Sequence, residues 1–427
     1  MARAMKDSGI AWIGEIPRNW KLFPLKGVSE RNIVGLATSV TQYYREMGTP
    51  IFRNLNIKED KLLDDDLLFL DEEWASLQQG KMIRTGDILT VHTGYIGISC
   101  IVPEKYNKAL TFTTLITTPK DTVINRRFLM WYINVSRFFS PVFFNVETGA
   151  QNNLNTKAFV NLEICVPDLS EQNRITAYLD RKCAEIDAVI EQTRASIEEY
   201  KALKQSIITE AVTKGIRRNR PMKDSGIAWI GEIPEEWETV KVKYVADLIL
   251  NSWSDCQQDL AYIGLENIVS WTGQHIKTNS NYDKSQSIVF GAGDVLFGKL
   301  RPYLAKVFLA PKEGCCSGEF CVFRPNDSVY GMYLWALMIS RGFIFEVDRS
   351  TYGTKMPRAN ADFIKNMFVP VPPVCEQTEI ADFIRKRCVR IDELIAEKTS
   401  LLAQLESYKK SVIYEYVTGK KEVPVCQ

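Results

Sequence analysis

The segment Met5–Trp20, MKDSGIAWIGEIPRNW, returns 217 residues later as Met222–Trp237, MKDSGIAWIGEIPEEW, with fourteen of sixteen positions identical. A chain that repeats itself in this way builds similar bodies from each copy. A second repeated piece follows. Glu171-Gln172 opens a run to Lys214 with neither Gly nor Pro, and Glu376-Gln377 opens a like run to Thr418, 205 residues on. In the first run apolar residues recur at spacings of four and three: Leu179, Cys183, Ile186, Ile190, then Ile197, Tyr200, Ile207 and Ala211. The matching positions are Ile384, Cys388, Ile391, Ile395, Leu402, Leu405, Val412 and Tyr416. Both stripes break at the same two places, Thr193/Lys398 and Lys204/Lys409. This is a heptad seam in both copies. A run of about 42 residues makes a helix about 63 Å long at about 1.5 Å per residue. Two such stripes in one chain can bury each other, with Leu179, Ile186, Ile190, Ile197, Ile384, Ile391, Ile395 and Leu402 as the seam. The alternative is that each stripe packs onto its own globular domain, but helices this long outrun a small domain's surface.

Between the repeated pieces lie two interiors, about Lys21–Val166 and Glu238–Val369, with only faint likeness. Gly86-Asp87-Ile88-Leu89 matches Gly293-Asp294-Val295-Leu296, each a tight turn feeding a buried strand. Phe52–Ile57 (FRNLNI) echoes Ile263–Ile268 (IGLENI), and helical stretches follow at Asn125–Phe139 and Gly331–Phe345. The pattern predicts an α+β chain: two mixed α/β domains (1–168 and 216–371) and two long antiparallel coiled-coil helices (169–215 and 372–427), with an internal pseudo-two-fold repeat. An enzyme duplicated for catalysis keeps its reactive side chains in both copies. A protein that reads two different targets keeps the frame and changes the readers. The frame here is nearly verbatim and the interiors have diverged, which favours recognition.

The 427 residues suit two to four domains, and 45% hydrophobic with 25% charged residues is ordinary for a folded soluble chain. No stretch of 18 apolar residues exists to span a membrane, and the N-terminus lacks a signal-peptide core, so the expected compartment is the cytoplasm. The ten cysteines show no framework spacing. Cys315, Cys316 and Cys321 lack a C-x-x-C pair and a nearby histidine, so packed free thiols are expected there rather than a metal site. A net charge of +1 counts against nucleic-acid binding at the level of the whole chain. Charge is uneven, however. Glu59–Glu73 holds eight acids and one lysine, whereas Lys299, Arg301, Lys306 and Lys312 fall in a stretch without acids.

The motif W-I-G-E-I-P-x-x-W at Trp12–Trp20 and Trp229–Trp237 resembles the opening motif of target recognition domains in type I restriction–modification specificity subunits. Gly353–Arg358 (G-T-K-M-P-R) and V-P-x-P-P-x-x-E-Q at Val369–Gln377 are similar to the same family. The resemblance covers essentially the whole chain. It implies two target recognition domains, each reading one half of a split site on double-stranded DNA, and two long helices that separate them and dock two methyltransferase (modification) subunits. Those partners would bind S-adenosylmethionine and methylate adenine. Restriction/translocase subunits would cut DNA with ATP and Mg2+. The chain itself would bind no cofactor and no metal and have no catalytic residue. One departure matters: the first half has Gly149-Ala150-Gln151-Asn152-Asn153-Leu154 in place of G-x-K-M-P-R, which resembles a version of the loop with amides replacing cations.

Lys299, Arg301 and Tyr303 follow the second G-D strand. Arginine can fork onto guanine and lysine can sit on phosphate, or the stretch is a solvated turn. Tyr352, Lys355, Arg358 and Asn360 form a cationic and amide loop for which DNA contact is favoured. Arg84, His92, Tyr95, Gln151, Asn153 and Asn155 are the analogous readers in the first half. Asp64-Asp65-Asp66 reads as a solvated face. Arg217, Arg218 and Arg220 in the linker either touch phosphates or form an exposed hinge. Arg181, Lys182, Lys386 and Arg387 are candidate docking positions on exposed helix faces. Gly293–Leu300 nearly matches a phosphate loop, but Leu300 lacks the hydroxyl for magnesium and Asp294 would repel phosphate. No nuclease carboxylate cluster recurs at matching positions of both halves, and the sequence contains no Gly-rich methyl-donor loop and no N-P-P-Y-like motif. A stand-alone nuclease or methyltransferase is therefore the weaker alternative. A coiled-coil scaffold that binds proteins only is the other, kept open by the near-neutral charge.

Overall fold

The computed structural model describes residues 3–144, 153–250, 252–253, 260–278, 287–353 and 355–424. Two compact units divide the chain: unit 1 is Met1–Gln192 with Leu401–Gln427, and unit 2 is Thr193–Ser400. The long helices run over Leu169–Lys214 and Val374–Val417. The sequence set them apart as segments of their own. Compactness instead gives part of each helix to either unit, because helix residues complete both cores. Leu179, Cys183, Val412 and Tyr416 belong to the core of unit 1, and Ile208, Val212, Ile384 and Cys388 to that of unit 2.

Both units are α+β, and their main sheets share one strand order. In unit 1 the antiparallel order is Ser99–Ile101, Ile88–Val91, Thr114–Pro119, Ser29–Val34. In unit 2 it is Val307–Leu309, Val295–Gly298, Phe320–Pro325, Ala246–Ile249. The G-D strand is central in each and apolar on both faces. Side chains alternate across a strand, so Ile88 enters the main core and Leu89 a second, smaller one; Val295 and Phe297 likewise oppose Leu296. This double burial explains why Val295–Gly298 is a strand and not a phosphate cradle. The turns before these strands use left-handed glycines, Gly86 (φ +85°) and Gly293 (φ +86°), a conformation that glycine adopts without steric cost. Asp87 and Asp294 close the turns by accepting from Arg84 N (2.8 Å) and Gly291 N (2.7 Å). Arg31 and Arg324 neutralise these buried carboxylates, each at 2.7 Å.

A second sheet in each unit contains a parallel pair, Thr49–Phe52 with Leu110–Thr111 and Tyr262–Ile263 with Gly314–Ser317. Its centre differs. In unit 1 the earlier strand of the pair also joins Leu68–Leu70, and in unit 2 the later one joins Ser287–Phe290. The faint FRNLNI/IGLENI echo marks one device: Asn56 and Asn267 are buried and accept from Arg53 N and Gly264 N, at 2.9 and 2.8 Å.

The verbatim frame forms a clasp at the start of each long helix. Trp20 and Trp237 are fully buried, and each indole N–H donates to a glutamate, Glu171 or Glu376, at 3.1 Å. An arginine lies over each ring, Arg3 at 5.4 Å and Arg220 at 5.0 Å, and pairs with the same glutamate at 2.6 and 2.7 Å. Gln172 and Gln377 tie the helix to the chain ahead of the preceding helix: Asn125 N and Tyr330 N donate to their Oε1, at 2.6 and 2.7 Å. The E-Q pair and the tryptophan therefore repeat because they are one joint. Arg220 belongs to this joint and is not an exposed linker cation. Arg217 pairs with Glu379 at 2.9 Å, and Arg218 is exposed.

Within each unit the two helices run antiparallel. The Tyr178 and Tyr416 rings pack at a 40° tilt and Asp187 pairs with Lys409 (2.8 Å) in unit 1. In unit 2 Lys398 lies over Tyr200 and Lys204 pairs with Asp392 (2.7 Å). The second pairing is the first with the helices exchanged, since Asp392 and Lys409 lie 205 residues after Asp187 and Lys204. The lysines that interrupt the apolar stripe thus hold cross-helix ion pairs, with Lys204 only 7% exposed. Leu179, Ile186, Ile190, Ile197, Ile384 and Ile391 are buried, while Ile395 and Leu402 are half-buried. Cys316 and Cys321 are buried free thiols pushed up to about 12 and about 11 by burial; Cys315 departs from the expectation in being disulfide-bonded. Among the described residues no helix is long and apolar enough to cross a membrane.

Candidate nucleic-acid interface

In unit 2 the central strand leaves the sheet into Lys299–Tyr303, and a second loop closes against it. Tyr352 and Arg358 exchange backbone hydrogen bonds (3.3 and 3.1 Å) across Gly353, whose φ is +90°. Ala359 N donates to Lys299 O (2.8 Å) and Arg301 N to Pro357 O (2.8 Å). These bonds bring Lys299, Arg301, Tyr303, Tyr352, Lys355 and Arg358 into one lip. Tyr303, Tyr352 and Met356 are exposed although large and apolar in part. Thr354 lies outside the described residues.

Two features of this lip were hidden in the sequence. Arg301 adopts φ +51°, ψ +63°, a left-handed conformation that is strained for a side chain with a Cβ. Arg358 is not a free cation. Its Nε and Nη2 donate to the two Glu319 oxygens at 3.2 and 2.9 Å, which raises its already high pKa. Glu319 is held by its backbone, accepting from Lys299 N at 2.9 Å. No pattern in the sequence sets Glu319 apart. Lys306, by contrast, donates into Leu265 O at 2.6 Å and is drawn down by burial, so it serves the fold.

Unit 1 builds the same lip with other side chains. Leu154 N donates to His92 O (2.9 Å), as Ala359 N does to Lys299 O. Thr93 pairs with Asn153 where Leu300 pairs with Arg358. The left-handed position is Gly94 (φ +88°) in place of Arg301. Thr93 Oγ1 donates to Asn153 Oδ1 at 2.8 Å, a neutral pair in the place of the Arg358–Glu319 ion pair. Burial lowers the His92 pKa, which keeps the ring neutral at pH 7, and Tyr95 is 87% exposed. Gln151 lies with Gly149, Ala150 and Asn152 outside the described residues.

The other sequence candidates stand elsewhere or have another task. Arg84 precedes the strand Ile88–Val91 while His92 follows it. At about 3.3 Å per residue the two ends lie more than about 10 Å apart, so Arg84 does not join the lip. Asn155 and Asn360 are helix caps, accepting from Ala158 N (3.0 Å) and Asp362 N (2.8 Å). They recur at the same repeat spacing because the frame needs caps there. Asp64 is exposed and paired with Lys105 at 2.8 Å. Arg181, Lys386 and Arg387 are exposed and Lys182 is half-buried. Among the described residues no group of three or more His, Cys, Asp or Glu is placed to hold a metal ion.

Comparisons with known proteins bear on this duplicated lip. A family model described as "Type I restriction modification DNA specificity domain" matches residues 17–199 and again 234–406. The type I restriction enzyme MjaVIII specificity subunit of Methanocaldococcus jannaschii is 25% identical over 400 residues, 90% of this chain and 85% of that protein. The EcoDI specificity subunit of Escherichia coli is 23% identical over 284 residues, 61% and 62% of the two chains. Among solved structures, a chain of a type I R-M system superposes with a TM-score of 0.70 at 16% identity, covering 95% of this chain and 99% of that one. The HsdS subunit from Thermoanaerobacter tengcongensis gives 0.52 at 16% identity, covering 95% and 98%.

Proposed function

This chain belongs to the family of type I restriction modification DNA specificity domains and carries that domain twice; on that premise we propose that it reads a split target on double-stranded DNA, one half-site per unit, for partner subunits that carry out the chemistry. The observation that carries this reading is the pair of lips. The same backbone hydrogen bonds present His92, Thr93 and Asn153 in unit 1 and Lys299, Leu300 and Arg358 in unit 2. Base edges are told apart by which donors and acceptors a protein presents, so a fixed frame with exchanged side chains suits two different half-sites. Lys299, Arg301, Tyr303, Tyr352, Lys355 and Arg358 are the proposed readers in unit 2, with His92, Tyr95, Gln151 and Asn153 in unit 1. With a net charge of +1, attraction to phosphate is local to such patches.

In this reading two modification subunits dock along the long helices, bind S-adenosylmethionine and methylate adenine within the two half-sites. Restriction subunits bring ATP and Mg2+, and the assembly works in the cytoplasm. The test is methylome sequencing of a host carrying the partner genes, with and without this gene. A gene-dependent, two-part adenine-methylation motif is the expected result. Methyl transfer by the purified chain alone, or a methylome that does not respond to the gene, would overturn it.

A further inference from the structure

A guanidinium carries five N–H donors in one plane. In Arg358 the Glu319 carboxylate takes the side-on edge, using Nε and one hydrogen of Nη2. Two hydrogens on Nη1 and one on Nη2 remain; one from each nitrogen forms the end-on fork. Among the described residues no other hydrogen bond or ion pair engages that fork. Both ends of the ion pair stand on fixed backbone. Arg358 is clasped to Tyr352, and Glu319 sits in the turn between Gly314–Ser317 and Phe320–Pro325, with its N–H donating to Ser317 Oγ at 3.2 Å.

We infer that Arg358 reads a guanine through its end-on fork and that Glu319 is the positioning residue that sets the plane of that fork. The inference rests on the DNA-recognition reading above. Guanine alone offers two adjacent acceptors, O6 and N7, on its major-groove edge. A fork can discriminate by that geometry only if it cannot swing to other acceptors, and a free arginine has ample rotamer freedom to do so. The carboxylate removes that freedom. It also neutralises the charge that would make Arg358 a phosphate anchor. A phosphate-binding arginine is weakened by a carboxylate at its side, whereas an arginine donating to the uncharged acceptors of guanine keeps all three remaining donors.

The same fork can hold a guanine or a backbone phosphate, and one experiment separates them. The full-length chain selects from a pool of randomised duplexes, which are then sequenced, as wild type, Glu319→Gln and Arg358→Lys. Wild type should demand guanine at one position of one half-site. Both variants should relax that demand by about 5- to 150-fold, the range for a bidentate base contact, and leave the other half-site unchanged as proof of folding. Glu319→Gln should also bind unrelated duplexes more tightly, with a salt slope steeper by about one. Replacing that guanine with 7-deazaguanine should weaken wild type and leave Arg358→Lys unaffected. If all sequences weaken alike in Arg358→Lys, the contact is to phosphate and the inference fails. A split motif in which no guanine responds to the two variants overturns it as well. Enrichment of nothing by wild type would instead bring down the underlying reading.

Discussion

The lips of units 1 and 2 differ in the charge they offer, not in the scaffold that offers it. Unit 2 holds a cation by a carboxylate, Arg358 on Glu319, and places Arg301 in a left-handed turn. Unit 1 has a neutral amide–hydroxyl pair, Asn153 with Thr93, and puts Gly94 at the same turn. The hydrogen bond from the second loop to the strand exit is the same in both. The contrast teaches where a duplicated recognition protein can change. Residues that position the loops carry stability and stay fixed. Residues at the tips, the proposed readers, diverge, even at the cost of backbone strain.

Four perturbations probe this contrast, and the largest strikes what the units share. Trp20→Ala and Trp237→Ala each empty a fully buried site beside a buried glutamate, so each should cost about 3–5 kcal/mol. Hydrogen exchange should rise in the unit that carries the change. A loss confined to one of the two variants would show that the clasps are not equivalent. Next come the cross-helix pairs. Lys204→Met leaves Asp392 unpaired in the more buried pair and should cost about 1–2 kcal/mol. Lys409→Met should cost less than about 1 kcal/mol, because Asp187 is half exposed. Urea denaturation of both variants checks the order. Arg301→Gly then makes unit 2 resemble unit 1. Relief of the left-handed turn should stabilise the fold by up to about 1 kcal/mol, while binding at the half-site of unit 2 weakens. A variant that is both less stable and fully competent would refute the idea that strain serves reading. The smallest effect is peculiar to unit 1. Hydrogen bonds from Lys105 and Tyr106 hold the exposed Asp64 carboxyl at about 2, below its ordinary 3.8. Its contribution is present above the ordinary value and lost as pH falls towards about 2. Asp64→Asn should therefore lower the melting temperature slightly at pH 5, and by progressively less as pH falls towards about 2.

The frame was legible in the sequence because repetition and period 3.5 are properties of the string. The clasp residues Trp20, Glu171 and Gln172 stood out with their counterparts, although their joining needed coordinates, since 151 residues separate Trp20 from Glu171. Lys204 and Lys409 showed as breaks in a stripe. Only the antiparallel register revealed that each faces an aspartate. The lips were half legible. Cations and aromatics near a G-D strand marked unit 2, but local signals cannot tell a reader from a cap, and Asn155 and Asn360 proved to be caps. Glu319 escaped because an acid in a basic loop reads as a mark against DNA contact until its geometry is known. Arg84 and His92 are near in sequence, but the strand Ile88–Val91 between them holds them apart.

In the proposed function the interiors read and the frame only presents them. A chain in which residues 238–369 are replaced by a second copy of residues 21–166 tests it most directly, with its target read by selection from randomised duplexes. The expected result is a split motif whose two halves are copies of one half-site, the one read by unit 1, with the half-site of unit 2 gone. A motif that keeps both original halves would contradict it.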